Sequence, residues 1–384
     1  MRVFLTVMAV WCAGLGAATQ FGKMSILFET LANSYAGLSA IALGLIVSIV
    51  GIVGLIFGTT AGLLVERLGQ RRVMVAALLA GGAMSVLQTL DLSYPAMIAS
   101  RVIEGMSHLA IVVAGPTIMA KSASDKFRGA VMTLWSSFFG VAYSLLALFA
   151  PWDVATLFLG HAVWMAVCAV ALAALMPPDQ RSVSSFDEGD SLIRQHATIY
   201  KSPRMAAPAM GFFCYTFLYV ALLTLLPPQI PEGFRSVAAS GMPAISIAVS
   251  LTLGVWLLTR MSPVRLVQWG YAVAIPAFIL LAATWGNGLM MTVSGLWLSS
   301  ALGLVQGASF ASIPFLNETG ATRARAAGAI AQLGNLGTTT GTPVIAAILL
   351  GAGPWGLSAC AIGACLLGLT LHQVQQYRRQ ILST

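Results

Sequence analysis

Three observations predict an all-α polytopic membrane protein. Of the 384 residues 58% are hydrophobic and only 8% charged, the mean hydropathy is +0.87, and apolar runs follow one another from end to end. A soluble domain carries roughly 25% charged residues, so no water-soluble core accounts for this much hydrocarbon. About 20 mostly apolar residues cross a hydrocarbon layer roughly 30 Å thick as a helix, and run after run has that length. The alternating apolar and polar segments of a transmembrane barrel are absent, so the backbone must satisfy its hydrogen bonds inside helices.

Breaks at charged or Pro/Gly-rich stretches divide the chain into twelve spans, at residues 4–27, 38–60, 73–90, 95–119, 129–150, 155–176, 205–226, 237–258, 264–284, 287–314, 326–350 and 354–373. With the N-terminus in the cytoplasm, all of the 20 Lys and Arg residues except Lys23, Arg101 and Arg235 fall on the cytoplasmic side, as the charge asymmetry of membrane proteins demands. Both termini are therefore expected to be cytoplasmic, in a cell (inner) membrane. The same asymmetry explains the net charge of +8 without nucleic acid. The first run has no small-residue cleavage site and a second span follows at once, which predicts a retained helix and not a removed signal peptide. The cysteines Cys12, Cys168, Cys214, Cys360 and Cys365 lie inside apolar runs without paired spacing, so neither a disulfide framework nor a metal site is expected.

The one long polar stretch, "PPDQRSVSSFDEGDSLIRQHATIYKSP", holds four of the twelve acidic residues and is too polar to enter lipid. It predicts a cytoplasmic linker at 177–203 between a six-helix N-terminal half, 1–176, and a six-helix C-terminal half, 204–384, which ends in a short cytoplasmic tail. The halves carry a repeat. Gly105 precedes Pro116 by the interval at which Gly303 precedes Pro314, and Gly129 and Ala327 follow at matching distances beside arginines.

The loop between the second and third spans reads "GLLVERLGQRR". Gly62 is small enough for close helix contact, Gly69 permits a tight reversal, and Glu66 can pair with an arginine or cap a helix N-terminus across the cytoplasmic face. The plain account is an ordinary basic loop. The stretch nevertheless resembles the cytoplasmic signature of the major facilitator superfamily through Gly62, Glu66, Arg67, Gly69, Arg71 and Arg72, with Glu in place of the commoner Asp. A worn counterpart, "LTRMSPVR", keeps Arg260 and Arg265. The fourth span, "RVIEGMSHLAIVVAGP", is similar to that family's pattern through Arg101 and Gly105, and "KFRGA" resembles its turn before the fifth span. The resemblance covers essentially the whole chain. It implies twelve helices in two pseudo-symmetric halves and a secondary transporter working by alternating access, its cavity lined mainly by the first, fourth, seventh and tenth spans. The fifth span lacks the Gly-Pro pair of the family's drug/proton antiporters.

An ionisable group inside a span costs roughly 2.5–3.5 kcal/mol and is a functional candidate by default. On the fourth span Arg101, Glu104 and His108 occupy i, i+3 and i+7, one stripe on the helix. Arg101 and Glu104 can partly neutralise each other, and Glu104 can reach His108. Either Glu104 or His108 exchanges a proton while Arg101 holds a carboxylate or an anionic substrate, or the three form a static pair that fixes packing. At the repeat interval the tenth span has Ser299, Leu302 and Gln306: hydrogen bonding without titration. Gln306 and Ser309, with Tyr215 and Tyr219 on the seventh span, are candidates for substrate recognition; aromatic packing is an equal account of the tyrosines. Asn335, in the small polar "QLGNLGTTTGTP" of the eleventh span, is expected to contact substrate or a backbone gap. His161 is expected at an interface and not in a relay.

Lys23 has two accounts. About 28 Å along the first span it can snorkel to the outer interface. Thr19 and Gln20 one turn earlier begin a polar face, however, and Glu104 and Arg101 stand at a similar depth, so Lys23 can instead meet Glu104 or join Arg101 around an anion. The chain has no Gly-rich phosphate loop ending in Lys-Ser/Thr, so coupling energy must come from a proton or other ion gradient. A proton-coupled carrier of a small polar or anionic organic solute is the leading expectation, with uptake favoured over efflux. No cofactor, no metal and no enzymatic chemistry are expected, since a nucleophile with its base is missing. The solute and the lipid bilayer are the expected partners, with one chain functional as a monomer. A non-transporting receptor or scaffold that keeps the fold is the alternative of a different class.

Overall fold

The computed structural model describes residues 1–58, 60–124, 127, 131, 134–135, 137–148, 153–179 and 192–381, and every regular element among them is helical. Gly129 and, but for Phe127, the rest of its "KFRGA" turn, residues 132, 133 and 136 of the fifth span and the Glu66 side chain lie outside the described residues. The chain forms two compact units, Met1–Leu38 with Leu45–Ser185, and Ser39–Gly44 with Phe186–Thr384.

In the first unit α1 spans Arg2–Ile26 and α2 Phe28–Ser34. The second span is a pair, α3 (Ala40–Ser48) and α4 (Gly51–Phe57), bent by 65° at the break between them. The short α5 (Ala61–Leu68) leads into α6 (Gln70–Leu87), followed by α7 (Tyr94–Ser122), α8 (Phe138–Leu148) and α9 (Val154–Leu175). α1 packs on α7, α8 and α9, while α6 packs on α7 and α9. Their shared core includes Val10, Met74, Leu78, Ile111, Met165 and Leu172. On α9 the residues between the buried ones, Val163, Val167 and Val170, are exposed yet equally apolar. A helix apolar on every face is stable only where its outer face meets lipid.

The second unit starts with α10 (Leu192–Lys201) and α11 (Ala206–Leu225). α12 (Glu232–Val249) continues through a π turn at Ser250–Gly254 into α13 (Val255–Leu258). α14 (Pro263–Ala283), α15 (Gly288–Leu316) and α16 (Gly320–Ile381) complete it. α11 packs along α16, and α14 packs on α15 and α16. Gly353, with φ 65° and ψ −161°, interrupts α16 immediately before Pro354, so the eleventh and twelfth predicted spans are its two arms.

Among the described residues eight helices are long and apolar enough to cross a membrane, nine with the bent pair. Dividing α16 at Gly353, and adding α6 and the α8 region, accounts for the twelve predicted spans. α6 is the less apolar of these helices at its start, where its first turn carries Gln70, Arg71 and Arg72.

The predicted repeat has a physical basis. A Cβ on Gly105 of α7 would stand 2.5 Å from the Val50 carbonyl oxygen, and one on Gly303 of α15 would stand 2.2 Å from that of Ser246. In each unit a glycine lets the long helix cross backbone to backbone over the helix of the preceding hairpin. Each crossed helix is also irregular near the contact, as the α3–α4 break or as the π turn, and such irregularities recur at functional positions. Gly303→Ala should lower the melting temperature of the purified protein by an amount equivalent to about 1–3 kcal/mol of overpacking. Gly160→Ala, whose added Cβ meets nothing within 4 Å, serves as the neutral control in the same thermal-shift measurement; equal melting of the two variants would refute the crossing.

Candidate functional site

The fourth-span stripe puts Arg101 and Glu104 inside the first unit, and α1 brings Lys23 to them. All three side chains have 0% exposure. The Lys23 Nζ donates to Glu104 Oε1 at 2.6 Å, to Gln88 Oε1 at 2.8 Å and to Ser85 Oγ at 2.5 Å, and lies 4.8 Å from the Phe158 ring centroid. Its three hydrogens are thereby used, as a buried ammonium requires. Glu104 Oε2 accepts from Arg101 and, at 2.9 Å, from Gln88 Nε2. Gln88 Nε2 also donates to Ser100 Oγ at 2.9 Å. The interfacial account of Lys23 is thus overturned: its polar face begins deep because its partners are deep.

Arg101 does two jobs. Besides holding Glu104, it donates from Nε to the Ile46 carbonyl at 2.8 Å and from its second terminal nitrogen to that of Val47 at 3.0 Å. These are orphan carbonyls at the C-terminus of α3, where the break denies them intrahelical partners. A cation at a helix C-terminus is favoured by the dipole as well. The charge centre and the broken second span therefore stabilise each other.

With both cations charged and the carboxylate ionised, the cluster carries a formal charge of +1. Desolvating each ion costs several kcal/mol, offset only by close pairing and complete hydrogen bonding. The geometry supplies both for three charges, but one positive charge stays uncompensated in a hydrocarbon environment.

The remaining predicted residues separate. His108 does not reach Glu104, whose oxygens are taken by Lys23, Arg101 and Gln88. Instead its Nδ1 meets the Ala17 carbonyl at 3.0 Å, with the ring edge-on to Phe21. Gln20 donates to Ser107 Oγ at 2.9 Å, and its buried Oε1 has no partner. In the second unit Tyr215 and Tyr219 are buried and stacked, their centroids 5.1 Å apart. Ser309 is buried with its hydroxyl unpartnered, and Gln306 is half-buried. Asn335 closes on its own helix, Nδ2 donating to the Ala331 carbonyl at 2.7 Å. Sequence reasoning missed Ser85 and Gln88, whose i, i+3 spacing places them on one face of α6, and it placed His161 at an interface. The structure buries His161 between Ser85 and the Gly16 carbonyl.

At the turn between α5 and α6 Gly69 has φ 95°, a region that favours glycine. The carboxylate that caps α6 there is Asp179, accepting from the Arg71 N–H and the Arg72 N–H at 2.9 Å each. A Cβ on Gly69 would lie 2.3 Å from that carboxylate, so the glycine provides the conformation and the room. Arg71 donates from its side chain to the Ala173 carbonyl near the end of α9, at 3.1 Å from Nε. Arg67 lies in the last turn of α5. Among the described residues, a Cβ on Gly62 would meet Val113 at 3.9 Å.

The family model described as Major Facilitator Superfamily matches residues 6–342. Inner membrane transport protein YajR of Escherichia coli (strain K12) is 23% identical over 234 residues, 59% of this chain and 51% of that protein; the chain thus matches about half the length of that relative. The 3-(3-hydroxy-phenyl)propionate transporter of the same organism is 24% identical over 399 residues, covering 99% of this chain and 96% of that protein. Among solved structures, that of the human organic anion transporter MFSD10 (TETRAN) superposes with a TM-score of 0.70 at 17% identity, covering 96% of this chain and 99% of that one.

The charge count predicts an order of stabilities. Lys23→Met leaves the Arg101–Glu104 pair, formally neutral, whereas Glu104→Gln leaves two cations and no carboxylate. Glu104→Gln should cost about 3–5 kcal/mol, as for other broken buried pairs, and Lys23→Met less. The double variant, back at +1, should melt above Glu104→Gln alone. A thermal-shift series on purified protein in which Lys23→Met is the least stable would reject this balance of charges.

Proposed function

The chain belongs to the major facilitator superfamily, and on that premise we propose that it is a secondary active transporter which carries a small organic anion inward with a proton across the inner membrane, both termini being cytoplasmic. The observation that carries this reading is the buried cluster of two cations and one carboxylate. While Glu104 is ionised it occupies the Lys23 ammonium and one arm of Arg101, leaving neither for a solute. A proton on Glu104 releases both cations. The cluster then carries +2 in hydrocarbon, a state favourable only once an anion enters, so the empty protonated site does not cycle. A monoanion returns the count to +1. One proton and one monoanion thus move together, and alternating access exposes the sealed cluster to each side in turn.

Two further observations support the anion. The relative that covers 99% of this chain is named for a hydroxyphenyl-substituted propionate, a carboxylate. Arg101 offers a planar donor set that matches carboxylate geometry. Uptake is the direction assigned, because the fifth span, "VMTLWSSFFGVAYSLLALFAP", lacks the antiporter Gly-Pro pair.

Proteoliposomes provide the test, with labelled 3-(3-hydroxyphenyl)propionate as the first probe and benzoate, amino acids, sugars and cationic drugs as the comparison panel. An external acid step should drive accumulation of the carboxylate, and Glu104→Gln should abolish accumulation while counterflow continues. Accumulation unchanged in Glu104→Gln would remove the proton role from Glu104, accumulation driven by an acid interior would reverse the direction, and preference for cations would remove the anion.

A further inference from the structure

The hydrogen bonds around Lys23 have a direction that runs beyond the ion cluster. Nε2 of His161 lies 2.9 Å from the Gly16 carbonyl oxygen. A carbonyl only accepts, so Nε2 carries a hydrogen, and in the neutral ring Nδ1 is the acceptor. Nδ1 lies 2.5 Å from Ser85 Oγ, which must therefore donate to it. The lone pairs left on Ser85 Oγ face the Lys23 ammonium, also at 2.5 Å. The order is Lys23 N–H to Ser85 O–H to His161 to Gly16 carbonyl, each donor aimed at the next acceptor and every member at most 4% exposed.

We propose that Ser85 and His161 form a proton relay with Lys23, in which His161 is the second proton-holding group of the site; this rests on the proton-coupled reading above. In the transfer an N–H bond of Lys23 breaks and its hydrogen joins Ser85 Oγ. The original Ser85 hydrogen leaves for His161 Nδ1. The products are a neutral amine, an intact serine hydroxyl and an imidazolium, with the total charge unchanged.

No hydrogen bond is lost on the way. The imidazolium donates from Nδ1 to Ser85 and from Nε2 to Gly16. The serine hydroxyl, reversed, donates to the free pair of the Lys23 amine. The two hydrogens left on that amine keep Gln88 Oε1 and Glu104 Oε1. Two proton positions are thus each fully satisfied by one set of heavy atoms, an arrangement that a histidine serving only to brace Lys23 does not need.

The charges around the relay say when it operates. The ionisable groups acting on His161 are Lys23 of α1, and Glu104 and Arg101 of α7; α6 contributes the neutral Ser85 and Gln88. While Glu104 is ionised, it holds the proton on Lys23. When Glu104 is protonated, Lys23 and Arg101 face each other without a counter-ion, and moving one charge two hydrogen bonds away onto His161 relieves them. It also leaves Arg101 as the single fixed cation of the cluster.

The test is a spectroscopic titration of the full-length protein, labelled with 15N in histidine and 13C in the glutamate carboxyl and reconstituted in lipid. The His161 signal is assigned by its loss in His161→Gln. The relay expects a neutral ring with hydrogen on Nε2 while Glu104 is ionised, and an imidazolium that appears in step with protonation of the Glu104 carboxyl. A ring that stays neutral after Glu104 is protonated overturns the relay, and this reading needs neither a substrate nor a variant beyond the assignment. Flux of labelled 3-(3-hydroxyphenyl)propionate gives the second arm. Glutamine at 161 can keep both hydrogen bonds but cannot hold the proton, so His161→Gln and Ser85→Ala should slow acid-driven uptake by about 100-fold, with Ser85→Thr restoring it. Wild-type uptake in His161→Gln overturns the relay alone. If wild-type protein moves no carboxylate, the carrier reading fails, while the titration still decides whether His161 shares the proton.

Discussion

Water is excluded from the volume that Lys23, Arg101 and Glu104 share, and this exclusion shapes the first unit around them. In solution each charge would be solvated on all sides. Here every donor and acceptor has to find protein: three oxygens for the ammonium, three donors for the carboxylate, two backbone carbonyls and an acid for the guanidinium. Four helical segments meet that demand together. α1 contributes Lys23, α6 contributes Ser85 and Gln88, α7 contributes the pair, and α3 must stop at Ser48 so that its last carbonyls stay open. Such a network specifies its own neighbourhood, because shifting any one segment leaves a buried charge without a partner.

The same logic connects the glycine crossings with the charges. Gly105 sits one residue beyond Glu104, and its missing side chain lets α7 press against the Val50 carbonyl, directly after the carbonyls that Arg101 holds. The second unit repeats the crossing at Gly303 over Ser246 and softens its crossed helix with a π turn, yet it carries Ser299 and Leu302 where the first carries Arg101 and Glu104. The shared architecture is one of close helix contact. The charge centre is an addition made in one half alone.

Much of the fold was legible in the amino-acid order because hydrophobic runs and the polar breaks between them are one-dimensional signals. The span count followed from them, and so did the candidacy of Arg101 and Glu104, since an ion on an apolar helix stands out by itself. Partners were harder to read. Lys23 had two accounts, the one deeper in the bundle favoured, until its neighbours on α6 were known, because Ser85 and Gln88 are unremarkable residues in an apolar helix. His161 looked interfacial for its place near a span end, and His108 looked paired with Glu104 from its i+4 spacing, which says nothing of the Ala17 carbonyl waiting on α1. Asp179 illustrates the limit most clearly: it belongs to a polar stretch read as linker, and only the folded chain brings it to the Gly69 turn, where it caps α6. Periodicity reports which face a residue occupies, whereas a hydrogen bond across a hundred residues leaves no local trace.

The interruption of α16 has a mechanical meaning. From Gly320 to Ile381 the helix would extend about 90 Å if straight, roughly three times the hydrocarbon thickness, so the chain must reverse, and it does so with one residue out of helical conformation. A turn of that length holds no slack. Neither arm can slide along the other, and neither can be drawn outward independently, as spans joined by a long loop can. The two arms are therefore joined directly through Gly353, with no connecting loop between them.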